Sequence, residues 1–264
     1  MPILTLLTDF GHKDCYVGVM KGQILKHCPN AKIVDLTHNV APQDIRGGSF
    51  QLEQAIDYFP DGTVHLAVVD PGVGTERRVI GVRTETARFI APDNGLLTRA
   101  LRLLGPPLEI VELPVPPSSS RTFHGRDVMA PAAAKLAAGA PFSELGQPRQ
   151  EMVELDFPAP QFEDARVEAS VLSVDHFGNV ALDLSHLLGK DRFHADSRWS
   201  FAGQELHMRR TYGEAQSGEP LLLWSSHGLL ELACREGRAD QRWPLKPGQR
   251  VELLPVAGAA ASHG

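Results

Sequence analysis

The sequence predicts an α/β chain, with a mainly parallel-sheet α/β layer domain at the N-terminus and a small antiparallel β-barrel domain at the C-terminus. Three observations carry this. In the first half, short apolar runs alternate with segments of helical periodicity. An Asp- and Pro-rich stretch at 156–164 breaks the pattern. Beyond it, only short strand-like runs follow, each ended by turn-forming residues.

The elements follow in order. Residues 3–7 form a short buried-strand run. Over 14–28, Val17, Met20, Ile24 and Cys28 fall on one helical face. Residues 32–36 read as a strand and 42–58 as a helix. The run 64–69 is apolar and β-branched, as a strand buried on both faces requires. Strands at 79–82 and 89–91 and a helix at 96–104 come next. Pro106, Pro107 and the segment 114–120 mark loops, and 128–138 is Ala-rich with Pro131 near its start, which suits a helix. Residues 156–164 read as a linker. Strands are expected at 167–174, 179–184, 199–201, 204–207, 221–224, 229–234 and 250–254, with turns at Ala202-Gly203, Ser217-Gly218 and Pro247-Gly248. The expected domains are therefore 1–157 and 165–256, with a disordered tail at 257–264.

Composition bounds the function. The chain has 264 residues, 42% hydrophobic and 22% charged, enough apolar content for a core along most of its length. A net charge of −6 argues against general nucleic-acid binding, which needs a basic face. The three cysteines form no C-x-x-C pair, fit a reducing compartment, and suggest no zinc site. The N-terminal apolar run lacks the basic lead of a signal peptide, and no apolar stretch is long enough to span a bilayer. The expectation is a soluble cytoplasmic protein with no nucleic-acid or membrane partner.

Ligands of α/β sheets gather at the carboxyl ends of strands. Several predicted strands end in polar, turn-forming clusters: Thr8-Asp9-Phe10-Gly11, Asp35-Leu36-Thr37-His38, Asp70-Pro71-Gly72-Val73-Gly74 and Pro92-Asp93-Asn94-Gly95. Phe123-His124-Gly125-Arg126-Asp127 precedes the Ala-rich helix. Each cluster alone is accounted for by turn formation or helix capping, but several on one sheet edge point to a site. No G-x-G-x-x-G and no G-x-x-x-x-G-K-[ST] is present, so a dinucleotide or NTP cofactor is not favoured.

These clusters also carry a resemblance. LTDFG near the start, DLTH at 35–38, VDPGVGTERR at 69–78, APDNG at 91–95, FHGRDVMAP at 123–131 and DHFGN at 175–179 resemble, in order, the motifs of the S-adenosylmethionine (SAM) hydroxide adenosyltransferase family. That family is related to the SAM-dependent fluorinases and chlorinases. The resemblance covers roughly residues 3–254. It implies an N-terminal α/β domain, a C-terminal β-barrel domain and a homotrimer with sites at subunit interfaces. It also implies hydrolysis of SAM to adenosine and methionine, with SAM as substrate and neither cofactor nor metal.

Residue by residue, the resemblance implies that Asp70, Arg77 and His124 position the water. Arg77 would supply a permanent cation, His124 would accept or relay a proton, and Asp70 would hold the water or orient a partner. Asp9 matches the position that grips both ribose hydroxyls. Asp175 would face the methionine amine and Asn179 would read the adenine edge. Phe123 and Phe177 would stack on or wall the nucleoside, Gly125 would be substrate-binding, Ser226 matches a residue near the methionine carboxylate, and Glu231 falls in the matching Ser226–Glu231 stretch. The sequence departs from the family at Leu182-Asp183, where a Thr-Asn pair is usual, and at Ser225 and Arg235, where Asn is frequent.

Three other functions make different demands on the same residues. A halogenase carries Tyr-x-x-Thr where this chain has Asp70 to Val73, and Tyr-Ser in place of His124-Gly125. It also has an extra loop before the APDNG-like segment, which the short link 83–88 lacks. A metal-dependent nucleotide phosphatase would use Asp9, His12 and Asp14 as ligands. A non-catalytic SAM- or adenosine-binding regulator would need no water-positioning set.

Overall fold

A computed structural model describes residues 1–195 and 197–256; the expected tail at 257–264 lies outside the described residues. The chain divides into two compact units, Met1–Asp156 and the residues from Phe157 onward.

The first unit is a seven-stranded sheet covered on both faces. Its elements are β1 (Ile3–Thr8), α1 (Tyr16–His27), β2 (Lys32–Thr37), α2 (Ile45–Ile56), β3 (Val64–Val68), β4 (Val79–Arg83), β5 (Arg88–Pro92), α3 (Thr98–Leu104), β6 (Glu109–Glu112), α4 (Ala130–Ala137) and β7 (Gln147–Arg149). The strand order is β2-β1-β3-β5-β4-β6-β7. The first four strands are parallel, and β4, β6 and β7 add an antiparallel flank.

Side-chain alternation on the central strand explains the layering. Leu66 and Val68 face a core shared with Met20 and Ile24 of α1 and Ala133 and Leu136 of α4. Ala67 and its neighbour Val69 face the opposite core, with Leu52 and Ile56 of α2 and Ala100 of α3. All of β3 is therefore buried, as its unbroken apolar sequence requires.

The structure refines two boundaries in this unit and adds two strands. The helix expected at 42–58 begins only at Ile45. Pro42 and the left-handed Gln43 (φ 67°) precede it, and the Asp44 side chain accepts from Gly47 N at 2.9 Å as its cap. The Ala-rich helix is preceded by one π-helical turn, Gly125–Met129, which carries most of the FHGRD cluster. Strands β6 and β7 lie on the antiparallel flank, where a four-residue, half-buried strand and a three-residue, exposed one give little apolar signal.

The second unit comprises β8 (Gln161–Glu163), β9 (Arg166–Val174), β10 (Val180–Ser185), α5 (His186–Gly189), β11 (Arg198–Phe201), β12 (Gln204–Met208), β13 (Pro220–Trp224), β14 (Leu229–Cys234), α6 (Ala239–Arg242) and β15 (Arg250–Pro255). Seven strands, β10-β14-β13-β12-β11-β15-β9, close into a barrel through the β9–β10 pairing. All seams are antiparallel except β12–β13, which is parallel. Part of the expected linker is instead strand: β8 pairs antiparallel with β9, pinned by Arg166 to Glu163 at 2.8 Å. Phe193 stacks on Trp199 (centroids 4.0 Å apart) inside the barrel core. No helix among the described residues is long and apolar enough to cross a membrane.

Buried His65 on β3 gives the first unit an acid sensitivity. Its Nδ1 lies 2.8 Å from Thr5 Oγ1, its ring stacks on Phe89, and burial pushes its pKa down to about 4. Native His65 is neutral, so between pH 6.5 and about 4 only the unfolded chain binds the proton, and stability falls as pH drops through that window. The expected loss is about 2–3 kcal/mol. Denaturant titrations at about pH 7 and about pH 4.5 should show His65→Gln less acid-sensitive than the wild type. Identical pH dependence in the two proteins would contradict the assignment.

Candidate active site

In the first unit, the parallel strands deliver their motifs to one sheet edge. β1 and β3 run side by side with Thr8 paired to Val68, so Asp9 and Asp70 emerge from the same edge. Neighbouring motifs act as braces. Asn94 Nδ2 donates to Val69 O at 2.9 Å and fixes the exit of β3. Asp93 accepts from Arg78 Nε at 2.7 Å and from Val153 N at 2.7 Å. The loop after Asp70 turns through Gly74 at φ 77°, and a Cβ there would meet the Arg121 carbonyl oxygen at 2.2 Å. That close approach lays the Asp70–Arg77 loop against the segment leading to His124.

The result is a tight constellation. Arg77 grips Asp70 with two arms: Nε donates to Oδ1 at 2.8 Å, and Nη2 donates to Oδ2. The same Nη2 lies 3.0 Å from His124 Nδ1. The side chains of Arg77 and Asp70 are 10% and 6% exposed, so the pair is largely removed from water. Arg77 Nη1 is buried with no hydrogen-bond partner among the described residues.

Guanidinium groups only donate, so His124 Nδ1 faces Arg77 as an acceptor and the neutral ring carries its proton on Nε2. Burial and the Arg77 charge hold the His124 pKa below the usual imidazole value, outweighing Asp70 and Asp127.

Beside this set lies a cavity of about 370 Å³, in the range of small-molecule sites. Asp70, Val73, His124 and Gly125 line it with Phe10, Tyr16 and Phe123, whose rings meet edge to face at 5.3–5.9 Å. Arg126 covers Phe123 from 5.2 Å and forks onto Asp127, which also accepts from Ser120 N at 2.8 Å. Arg77 is not among the residues that line the cavity, but it touches two that are, Asp70 and His124.

Asp9 is held separately. Its Oδ2 accepts from the backbone N–H of left-handed Gln43 at 2.8 Å, so one oxygen is already engaged. The turn that carries it is pinned by buried His38, whose Nδ1 lies 2.8 Å from Thr8 Oγ1 and whose carbonyl accepts from Gly11 N at 2.7 Å. His38 Nε2 sits 3.0 Å from Asp35 Oδ1. The DLTH motif thus supports the Asp9 turn. Asp9, His12 and Asp14 form no ligand group: among the described residues no three His, Cys, Asp or Glu side chains are placed to hold a metal ion.

In the second unit the β9–β10 turn brings Asp175 and Asn179 together. Asp175 accepts from Asn179 N at 2.8 Å and from Asn179 Nδ2 at 3.0 Å. Glu231, only 7% exposed, joins them through Tyr212, whose hydroxyl donates to Oε1 at 2.6 Å. Phe177 stands exposed at the tip of the turn. Ser226 is not brought to this cluster. It lies in the β13–β14 turn, beside the Ser185 end of β10, whereas Asn179 precedes the other end.

Sequence reasoning missed Phe10, Tyr16 and Tyr212. Phe10 sat within LTDFG. Tyr16 adjoins the apolar face of α1 without belonging to it, a position that exposes a large ring. Tyr212 carried no local signal, because Glu231 is distant in sequence.

Family models for the SAM hydroxide adenosyltransferase N-terminal and C-terminal domains match residues 4–146 and 169–252. The chain belongs to the SAM hydroxide adenosyltransferase family. It is 39% identical to an (R)-S-adenosyl-L-methionine hydrolase from Thermus thermophilus, covering 94% of this chain and 98% of that protein. It is 38% identical to one from Salinispora arenicola, covering 96% and 97%. A fluorinase from Actinoplanes sp. is 28% identical over 96% and 97%. Among solved structures, an uncharacterized conserved protein from Thermotoga maritima superposes with a TM-score of 0.89 at 37% identity, covering 95% of this chain and 99% of that one.

The tautomer is open to direct measurement. Nitrogen-15 NMR near pH 7 should show His124 neutral and protonated on Nε2, titrating below 6.5. A proton on Nδ1, or a midpoint above 6.5, would contradict the arrangement.

Proposed function

We propose that this chain hydrolyses SAM to adenosine and L-methionine, water attacking the 5′ carbon at the cavity bordered by Asp70 and His124. The observation that carries the reading is the Asp70–Arg77–His124 constellation beside a cavity of nucleoside-site size, in a chain of this family.

The reaction makes modest demands. The sulfonium is already a good leaving group. As the water oxygen bonds to the 5′ carbon, the carbon–sulfur pair departs with sulfur to give the thioether of methionine, and one water proton must leave. Among the polar side chains bordering the cavity (Asp70, His124, Tyr16, Ser120, Thr122 and Arg126), the Asp70 carboxylate is the base able to receive it. Neutral His124 has its only free lone pair turned to Arg77 and offers an Nε2–H donor that orients the water. On this reading Asp70 takes the proton and His124 donates, whereas the resemblance implied that His124 would accept or relay it. Arg77 acts through Asp70 and His124 rather than at the cavity wall, fixing their relative placement and the His124 tautomer. Asp9 offers ribose its remaining acceptor capacity, Phe123 and Gly125 wall the cavity, and Asp175, Phe177 and Asn179 contribute to recognition in the second unit. The finer assembly inferred from the family resemblance is a cytoplasmic homotrimer with sites at subunit interfaces.

A halide in place of water is disfavoured by the same residues. Asp70 would repel an anion and Val73 has no hydroxyl to hold one.

With SAM as substrate and adenosine followed by chromatography, Arg77→Lys should fold and bind SAM but lose about 100-fold in turnover, because Lys keeps the charge and loses the fork. His124→Ala and Asp70→Asn should likewise lose turnover while largely sparing SAM binding. Chelators should change nothing. Full turnover by the Arg77 or His124 variant would remove the assignment.

A further inference from the structure

Tyr212 lies outside every motif of the sequence, in a short turn at Tyr212–Glu214 ahead of β13. Its hydroxyl has one proton, and that proton goes to the buried Glu231 carboxylate at 2.6 Å. The phenol oxygen is then free only to accept, and it receives Asn179 Nδ2 at 3.4 Å. The other amide proton of Asn179 goes to Asp175 Oδ2 at 3.0 Å. Both protons of the amide nitrogen are thereby committed. Asn179 Oδ1 has no partner among the described residues and is not a buried orphan. The residue can therefore offer a ligand an acceptor and no donor.

We propose that Tyr212 is a positioning residue for base selection: with Glu231 it exhausts the donors of Asn179, so that the second unit selects a base edge that donates, an exocyclic amine rather than a carbonyl. The inference rests on the reading of Asn179 as a base-contacting residue. Asp175 alone fixes which way the amide points but leaves one N–H available. The Tyr212 oxygen removes that N–H, and Glu231 keeps the hydroxyl from turning its own proton toward Asn179. Without Tyr212, Asn179 would present both a donor and an acceptor and would tolerate either edge.

The test is equilibrium binding of adenosine and of inosine, which differ at that edge, to the full-length wild type and to Tyr212→Phe. Thermal melting checks that each protein is folded. The wild type should prefer adenosine by at least about tenfold, the scale of one unmatched buried polar contact. Tyr212→Phe should bring the ratio to within about threefold, chiefly by strengthening inosine. Glu231→Gln keeps an acceptor for the hydroxyl and should retain most of the preference. An unchanged ratio in Tyr212→Phe, or no preference in the wild type, overturns the proposal. Adenosine release from SAM by the wild type is scored separately, so a failure of base selection is distinguishable from a failure of the hydrolase reading.

Discussion

The Arg77 guanidinium is the group on which the candidate site depends. Its planar fork engages both Asp70 oxygens while one arm reaches His124 Nδ1. A single residue thus fixes a carboxylate, an imidazole and the imidazole's tautomer. Only a permanently charged, rigid, multi-donor group can do all three, because a lysine would offer one point of charge and no fixed angle. The pair is also mostly buried, so removing Arg77 outright would strand the Asp70 charge and cost stability as well as activity.

Much of the first unit serves to bring these three residues together. The parallel strands set Asp9 and Asp70 on one edge. Gly74 permits a main-chain approach that any side chain would block, and Asn94 secures the end of β3. The π-helical turn starting at Gly125 places His124 at its entrance and sends Asp127 back to Ser120. Departures from regular helix of this kind are frequent at functional sites, where they redirect a side chain at the expense of ideal hydrogen bonding. The second unit follows another logic. Its barrel closes on itself, and a short polar chain from Asp175 through Asn179 and Tyr212 to Glu231 decorates one strand end.

What was legible in the sequence follows from the range of each signal. The apolar run of β3, the face Val17, Met20 and Ile24, and all seven barrel strands are local patterns, and they read correctly. Strands β6 and β7 and the segment Gln161–Glu163 did not, because short pairings on the flank of a sheet depend on partners rather than on apolar content. Asp70, Arg77 and His124 could be singled out because they sit in long motifs, and the structure brings the three side chains together. Their mutual arrangement was not legible, since it takes the folded structure to set Arg77 apart from the cavity lining and to turn His124 Nδ1 toward Arg77. Tyr212 was invisible for the same reason: its meaning lies in a hydrogen bond to a residue on another strand.

The most direct test of the account is hydrolysis of SAM by the purified protein in oxygen-18 water, with mass spectrometry of the products. The account predicts one labelled oxygen in the 5′ hydroxyl of adenosine and none in methionine. Adenosine lacking that label, or no adenosine at all, would contradict attack by water at the 5′ carbon.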